Sequence, residues 1–263
     1  SGCIAQRVPE GWTGGFIQVD DTLVALQNIG RYVRDGFDGP VVGITGSAGK
    51  TTTRALTGLV LGSLGPVHQT AGNLNNHIGV PLTLLAAPAD AAAWVIEMGM
   101  NHLGEIDLLQ DISRPTVRLI TNVGAAHTEG VGGIEGVAKA KGELFDGARP
   151  SDVCVINADD PYVSAHPLPE GVRVVRFGTG EDCDVRLTAA AVDPQTLHTR
   201  FRVETPTGVV LAAIKSPGTH LAMNAAAAVA VGEVLRCPPE AMARALSQYC
   251  LLYTSDAADD LYR

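Results

Sequence analysis

Apolar and polar positions along the chain follow two distinct periods. Between Ile17 and Arg34, the residues Leu23, Leu26, Ile29 and Val33 recur at helical spacing behind Asp21, a side chain suited to a helix start, so a short linker helix is expected. Residues 41–45 then form a β-branched run ending in Gly-Ser-Ala-Gly, and 51–61 return to helical spacing, which predicts a strand, a loop and a helix. Apolar runs at 94–97, 117–121, 153–157 and 172–177 read as strands, with helical patterns at 78–85, 104–111 and 133–145 among the first of them. This alternation predicts an α/β fold, with right-handed crossovers and a doubly wound, mostly parallel sheet. From 184 to 214 the pattern shifts to strand-like runs separated by Asp-Pro and Pro-Thr-Gly turns, as in a small antiparallel appendage on the sheet edge. The alanine-rich run 221–235 reads as a buried helix.

Composition narrows the function classes. With 263 residues, 46% hydrophobic and 18% charged, the chain can bury at least one substantial core. A net charge of -9 argues against a nucleic-acid or anionic-membrane partner, so any bound phosphate must be met locally. The five cysteines are odd in number and lack a C-x-x-C spacing, which fits a reducing cytoplasm and indicates no zinc site. No apolar run approaches the roughly 20 residues of a membrane span. The chain begins at Ser1 and not at Met, which leaves an upstream segment open.

The sharpest chemical signal is Thr45-Gly46-Ser47-Ala48-Gly49-Lys50-Thr51-Thr52, set between a predicted strand and a predicted helix. Glycines let backbone N–H groups turn towards phosphates, and the helix start adds its positive dipole end. Lys50 can reach the terminal phosphates, and Thr51 can ligate Mg2+. Ile44 stands where the usual phosphate loop has its first glycine. A second cluster, Gly72-Asn73-Leu74-Asn75-Asn76-His77, precedes a helix and reads from its residues alone as a capped turn or a ligand loop. In a third, an apolar strand ends at Glu97, where ligands of open α/β sheets bind, and continues as Asn101-His102-Leu103-Gly104-Glu105-Ile106. His127 follows another strand and offers an imidazole. Lys139 and Lys141 lie about 200° apart around a predicted helix, so only one can face the strand ends. Asn157 closes a strand and Asn224 lies at the start of the late alanine-rich helix.

The short phosphate loop, with Gly-Asn-x-Asn-Asn and Asn-His-x-Gly-Glu-Ile at these spacings, resembles the Mur ligase and folylpolyglutamate synthase superfamily, and most closely its D-alanyl-D-alanine-adding members. The resemblance spans most of residues 17–246. It implies an ATP-dependent amide ligase of peptidoglycan precursor synthesis, with UDP-N-acetylmuramoyl-peptide and D-alanyl-D-alanine as partners and an acyl phosphate as intermediate. It further implies that Asn73, Asn75, Asn76 and His102 face the muramoyl substrate, and that Asn157 and Asn224 meet adenine. Thr51, Glu97, His127 and Lys141 would hold two Mg2+ ions, Lys141 as a carbamate formed with CO2. The family has His-Asn where this chain has His220-Leu221.

A cytoplasmic monomer is expected. On this reading residues 1–38 are a remnant of the N-terminal UDP-substrate domain with its linker helix, and 39–249 are the central ATP-binding domain. Residues 250–260 resemble a translated sequencing adapter, so 250–263 are set apart from the fold; the family's C-terminal ligase domain is absent. Two alternatives stay open, another ligase of the superfamily and a nucleotide-binding module without activity.

Overall fold

The computed structural model describes residues 2–8, 10–125 and 131–249. A two-stranded parallel sheet, β1 (Gly2–Ala5) and β2 (Gly15–Gln18), leads into α1 (Thr22–Asp35). Next come β3 (Val41–Thr45), α2 (Lys50–Leu61), β4 (Val67–Gln69), α3 (Gly79–Leu85), β5 (Ala93–Glu97) and α4 (Glu105–Ser113). The chain continues through β6 (Val117–Ile120), α5 (Ile134–Asp146), β7 (Val153–Asn157), α6 (Pro161–Ser164) and β8 (Arg173–Gly178). It ends with β9 (Val185–Val192), β10 (Thr199–Thr205), β11 (Gly208–Ile214), α7 (His220–Val234) and α8 (Pro239–Leu246).

Strands β3 to β11 form one sheet in the order β11-β10-β9-β8-β7-β6-β3-β5-β4. Pairing is parallel from β4 across to β9, and β10 runs antiparallel to both of its neighbours. The α/β class, the mostly parallel sheet and the antiparallel edge thus follow the hydrophobic pattern. Strands β3, β5, β6 and β7 are buried at every position, as befits a parallel sheet covered on both faces. One face packs against α2, α7 and α8 through Leu56, Val60, Ala226, Val229 and Met242. The other packs against α3, α4 and α5 through Leu84, Ile106, Leu109, Leu144 and Phe145. Because β5 connects to β6 by crossing over β3, the strand order reverses beside β3, and the crevice at that carboxyl edge is where such sheets bind ligands.

Asp21 caps α1 as its position predicts, its Oδ1 accepting from the N–H groups of Leu23 and Val24 at 2.7 and 3.1 Å. The helix is nevertheless more than a linker. It packs on α3 and α4, and the buried Gln27 donates from Nε2 to the His77 carbonyl at 3.3 Å. Strand β4 gave no apolar run to read, because its three residues Val-His-Gln are half-buried at an edge and pair only with β5. Among the described residues no helix is long and apolar enough to cross a membrane.

Candidate active site

The phosphate loop leaves β3 at Thr45, whose hydroxyl donates to the Met98 carbonyl at 2.9 Å and ties the ends of β3 and β5 together. A Cβ at Gly46 would overlap the Thr121 hydroxyl, so the loop can run this close to β6 only as glycine. Strand β6 then fixes the loop from the side. The N–H of Ser47 donates to the Asn122 carbonyl at 3.0 Å, and the N–H of Ala48 to Asn122 Oδ1 at 2.9 Å. The Ala48 carbonyl accepts from Thr121 Oγ1 at 2.7 Å and from Asn122 Nδ2 at 3.0 Å. Two N–H groups of the phosphate loop are therefore engaged by Asn122. Helix α2 starts at Gly49 with φ 78° and no side-chain cap, so its positive dipole end lies at the loop. Lys50 Nζ donates to the Gly46 carbonyl at 2.9 Å, folded over the loop. Thr51 and Thr52 occupy the first turn.

Glu97 ends β5 beside this helix start and is 2% exposed. Its Oε1 accepts from Asn75 Nδ2 at 3.0 Å and from Thr51 Oγ1 at 3.3 Å, while its own N–H donates to Thr70 Oγ1 at 2.9 Å. Oε2 is buried and accepts no hydrogen bond; Arg54 Nε lies 3.7 Å away. A buried carboxylate oxygen without a donor is costly unless a cation serves it. The donor chemistry suits Mg2+, which takes one or two carboxylate or hydroxyl oxygens and completes its shell with phosphate and water. Among the described residues no group of three His, Cys, Asp or Glu converges as a zinc-type cage would require.

Of the two lysines on α5, Lys139 is exposed and Lys141 is 2% exposed. Burial, reinforced by the nearby positive charge of Lys50, lowers the Lys141 ammonium from the ordinary 10.5 to about 8. The amine therefore has an appreciable neutral fraction near physiological pH.

The remaining expected site residues divide. Asn75 reaches Glu97. Asn76 Oδ1 accepts from the N–H groups of Ile78 and Gly79 at 3.1 and 2.8 Å, at the start of α3. Asn73 is exposed, its carbonyl accepting from the Asn75 N–H at 2.7 Å. His102 is exposed, with its N–H on Glu105 Oε2 at 3.2 Å. Asn157 is 6% exposed, donates to the Thr121 carbonyl at 2.7 Å and accepts from the Asp159 N–H at 3.1 Å, so its amide braces the ends of β6 and β7. Asn224 on α7 stands against the phosphate loop, with Oδ1 2.6 Å from where a Cβ on Gly49 would lie. His127 lies outside the described residues.

Sequence reasoning passed over Asn122, Thr70 and Arg54. Asn122 gave only a partial signal, in that it directly follows a predicted strand, where ligand-facing residues of such sheets lie. A cavity of about 380 Å3 lies at the opposite, amino-terminal edge of the sheet, lined by Arg34, Asp38, Arg114, Arg118, Arg149 and Asp152 among others. Its arginines and aspartates largely offset one another, as in the buried pair Arg118–Asp152 at 3.2 Å, and it is remote from the strand ends described above.

The family model described as the Mur ligase middle domain matches residues 44–232. The UDP-N-acetylmuramoyl-tripeptide--D-alanyl-D-alanine ligase of Bacillus subtilis (strain 168) is 38% identical over 231 residues, covering 88% of this chain and 49% of the relative. Among solved structures, MurF from Acinetobacter baumannii superposes with a TM-score of 0.86 at 34% identity, covering 94% of this chain and 53% of that one. MurF ligase from Thermotoga maritima in complex with ADP gives 0.81 at 26% identity, covering 95% and 57%. The chain spans about half the length of the relatives it matches. Since the matched span holds the phosphate loop, Glu97, Lys141 and Asn224, the chain belongs to the Mur ligase family, whose middle domain it carries.

Proposed function

We propose that this chain is the ATP-binding core of a cytoplasmic, monomeric ligase that adds D-alanyl-D-alanine to a UDP-N-acetylmuramoyl-tripeptide in peptidoglycan precursor synthesis. The observation that carries the reading is the meeting of Thr51 and Glu97 at 3.3 Å, which brings the phosphate-loop helix and the β5 carboxylate to one point. Relatives named as ligases of that activity, in Bacillus subtilis and Escherichia coli, support the substrate assignment.

In the proposed reaction a substrate carboxylate oxygen bonds to the γ-phosphorus of ATP as the bridging P–O bond breaks, giving an acyl phosphate and ADP. The amine of D-alanyl-D-alanine then forms the C–N bond, the C–O bond to phosphate breaks, and the amine loses its proton. The first step brings two anions together, so the chain's task is mainly electrostatic. Lys50 and the start of α2 receive the polyphosphate, and Asn122 holds the loop in shape. Asn75 and Thr51 orient Glu97 so that Oε2 is left for a cation. Thr51, Glu97, Lys141 and, from its sequence position, His127 are the residues that would hold Mg2+; when bound, the ions neutralise the charge of phosphate and carboxylate. Neutral Lys141 can add to CO2, forming an N–C bond and releasing a proton, which turns a buried amine into a carbamate with oxygen atoms to offer a metal. Asn73 and His102, both exposed, are left to face the muramoyl substrate, and Asn224 the nucleotide.

A chimera that places this chain within the flanking sequence of the Bacillus subtilis relative tests the proposal. ADP release should require both the UDP-linked tripeptide and D-alanyl-D-alanine, and Lys50→Ala or Glu97→Ala should each abolish acyl-phosphate formation. Unimpaired turnover in either variant would remove the assignment.

A further inference from the structure

Arg54 lies one turn beyond Lys50 on α2, on the same helix face, with its side chain 12% exposed. Its Nε is buried and donates no hydrogen bond, and Glu97 Oε2, 3.7 Å away, is buried and accepts none. The other Glu97 oxygen has two donors, Asn75 and Thr51. The pair therefore stops short of a hydrogen-bonded salt bridge, although both groups are desolvated. A purely structural Arg–Glu pair gains most from close, bidentate contact, and this one forgoes it. Each partner keeps a polar atom in reserve.

We infer that Arg54 is a positioning residue that serves as the resident counter-cation of Glu97 and makes divalent-metal binding conditional on nucleotide. This inference rests on the assignment of Glu97 to the metal site. In the nucleotide-free protein, Arg54 balances the buried carboxylate, and a second cation arriving at Oε2 meets a guanidinium within a few ångströms. Polyphosphate entering at the start of α2 brings negative charge that offsets the Arg54 guanidinium and favours the incoming metal. Glu97 Oε2 is then released to the ion. Free Mg2+ is thereby kept from an empty site, and the metal enters with the nucleotide.

The test is Mn2+ binding to the 263-residue chain, followed by electron paramagnetic resonance, with and without the non-hydrolysable analogue AMPPNP. Arg54→Met should tighten binding of Mn2+ alone by about tenfold or more, since like-charge repulsion at this distance in a buried site is large. With AMPPNP present, the difference from the unaltered chain should shrink below about threefold, because phosphate then offsets the guanidinium. Arg54→Lys, which keeps the charge, should resemble the unaltered chain. Arg54→Gln gives the same reading if Arg54→Met folds poorly, as judged by its thermal melt. If folded Arg54→Met and Arg54→Gln bind Mn2+ no more tightly than the unaltered chain, the inference fails. Glu97→Gln separates the two levels. If that variant keeps full Mn2+–AMPPNP binding, the metal-site assignment itself is wrong; if it loses binding while the Arg54 variants change nothing, only the role of Arg54 is.

Discussion

The Asn75 amide donates to Glu97 Oε1 at 3.0 Å, so the loop before α3 sets the orientation of the carboxylate that ends β5. The contact is half-buried, and the Asn75 amide is one of only two side-chain donors to that oxygen, with Thr51 the other. Asn75→Ala should cost about 1–3 kcal/mol of stability in urea denaturation. In the chimera it should lower kcat while nucleotide affinity changes little. An equal fall in kcat and rise in nucleotide Kd would instead place Asn75 on the nucleotide.

Any side chain at position 46 collides with the Thr121 hydroxyl, so Gly46→Ala must push the phosphate loop away from β6 and break the Thr121 and Asn122 bonds to Ala48. Nucleotide binding should be lost, with about 2–3 kcal/mol of stability. The double variant with Thr121→Ala removes the nearest colliding atom and should recover part of that stability. Strict additivity of the two losses would show that the residues do not meet.

Much of this arrangement is written locally, and some of it is not. β3, β5, β6 and β7 are apolar throughout because both their faces are covered, so they stand out as uninterrupted runs. Asp21 and Glu97 were legible because each sits at an element's end, where polar side chains have few structural alternatives. Asn76 is harder to read, because an Asn in a loop suits a ligand or a backbone group equally well, and its oxygen accepts from the N–H groups at the start of α3. The roles of Asn122 and Arg54 depend on which strand lies beside β3 and which end of α2 faces β5, and spacing along the chain does not encode either. Strand β4 was illegible because a three-residue edge strand buries too little to leave a pattern.

The buried pair at the other end of the sheet provides a contrast. Arg118 and Asp152 are 2% and 5% exposed, and Arg118 also donates to Gln110 Oε1 and the Leu144 carbonyl. Asp152→Ala leaves that guanidinium without its counter-charge and should cost about 3–5 kcal/mol in urea denaturation. Nucleotide affinity, measured at a denaturant-free temperature well below the melt, should stay within about twofold of the unaltered chain, since nothing at that edge touches the phosphate loop. A large loss of affinity with little loss of stability would contradict this division of roles.

Lys141 gives the chain a stability profile with a defined sign. Its folded-state value, about 8, lies below the ordinary 10.5, so between those values the unfolded chain holds more protons than the folded one. In CO2-free buffer, stability should accordingly rise as pH increases through roughly 8 to 10.5 and be lost as pH falls back towards 8, a change on the order of 3 kcal/mol. Below about 8 both states carry the ammonium, and the penalty for burying it is present in full and constant. Lys141→Met removes the titrating group and should flatten its share of the profile. Bicarbonate near pH 8 should stabilise the unaltered chain but not Lys141→Met, because addition of CO2 converts the amine to a carbamate and removes the buried cation. With 13C-labelled bicarbonate, a carbamate resonance should appear in the unaltered chain alone. If bicarbonate stabilises both proteins equally, or if the resonance persists in Lys141→Met, the carbamate belongs to some other amine and Lys141 contributes to the site only as a buried base.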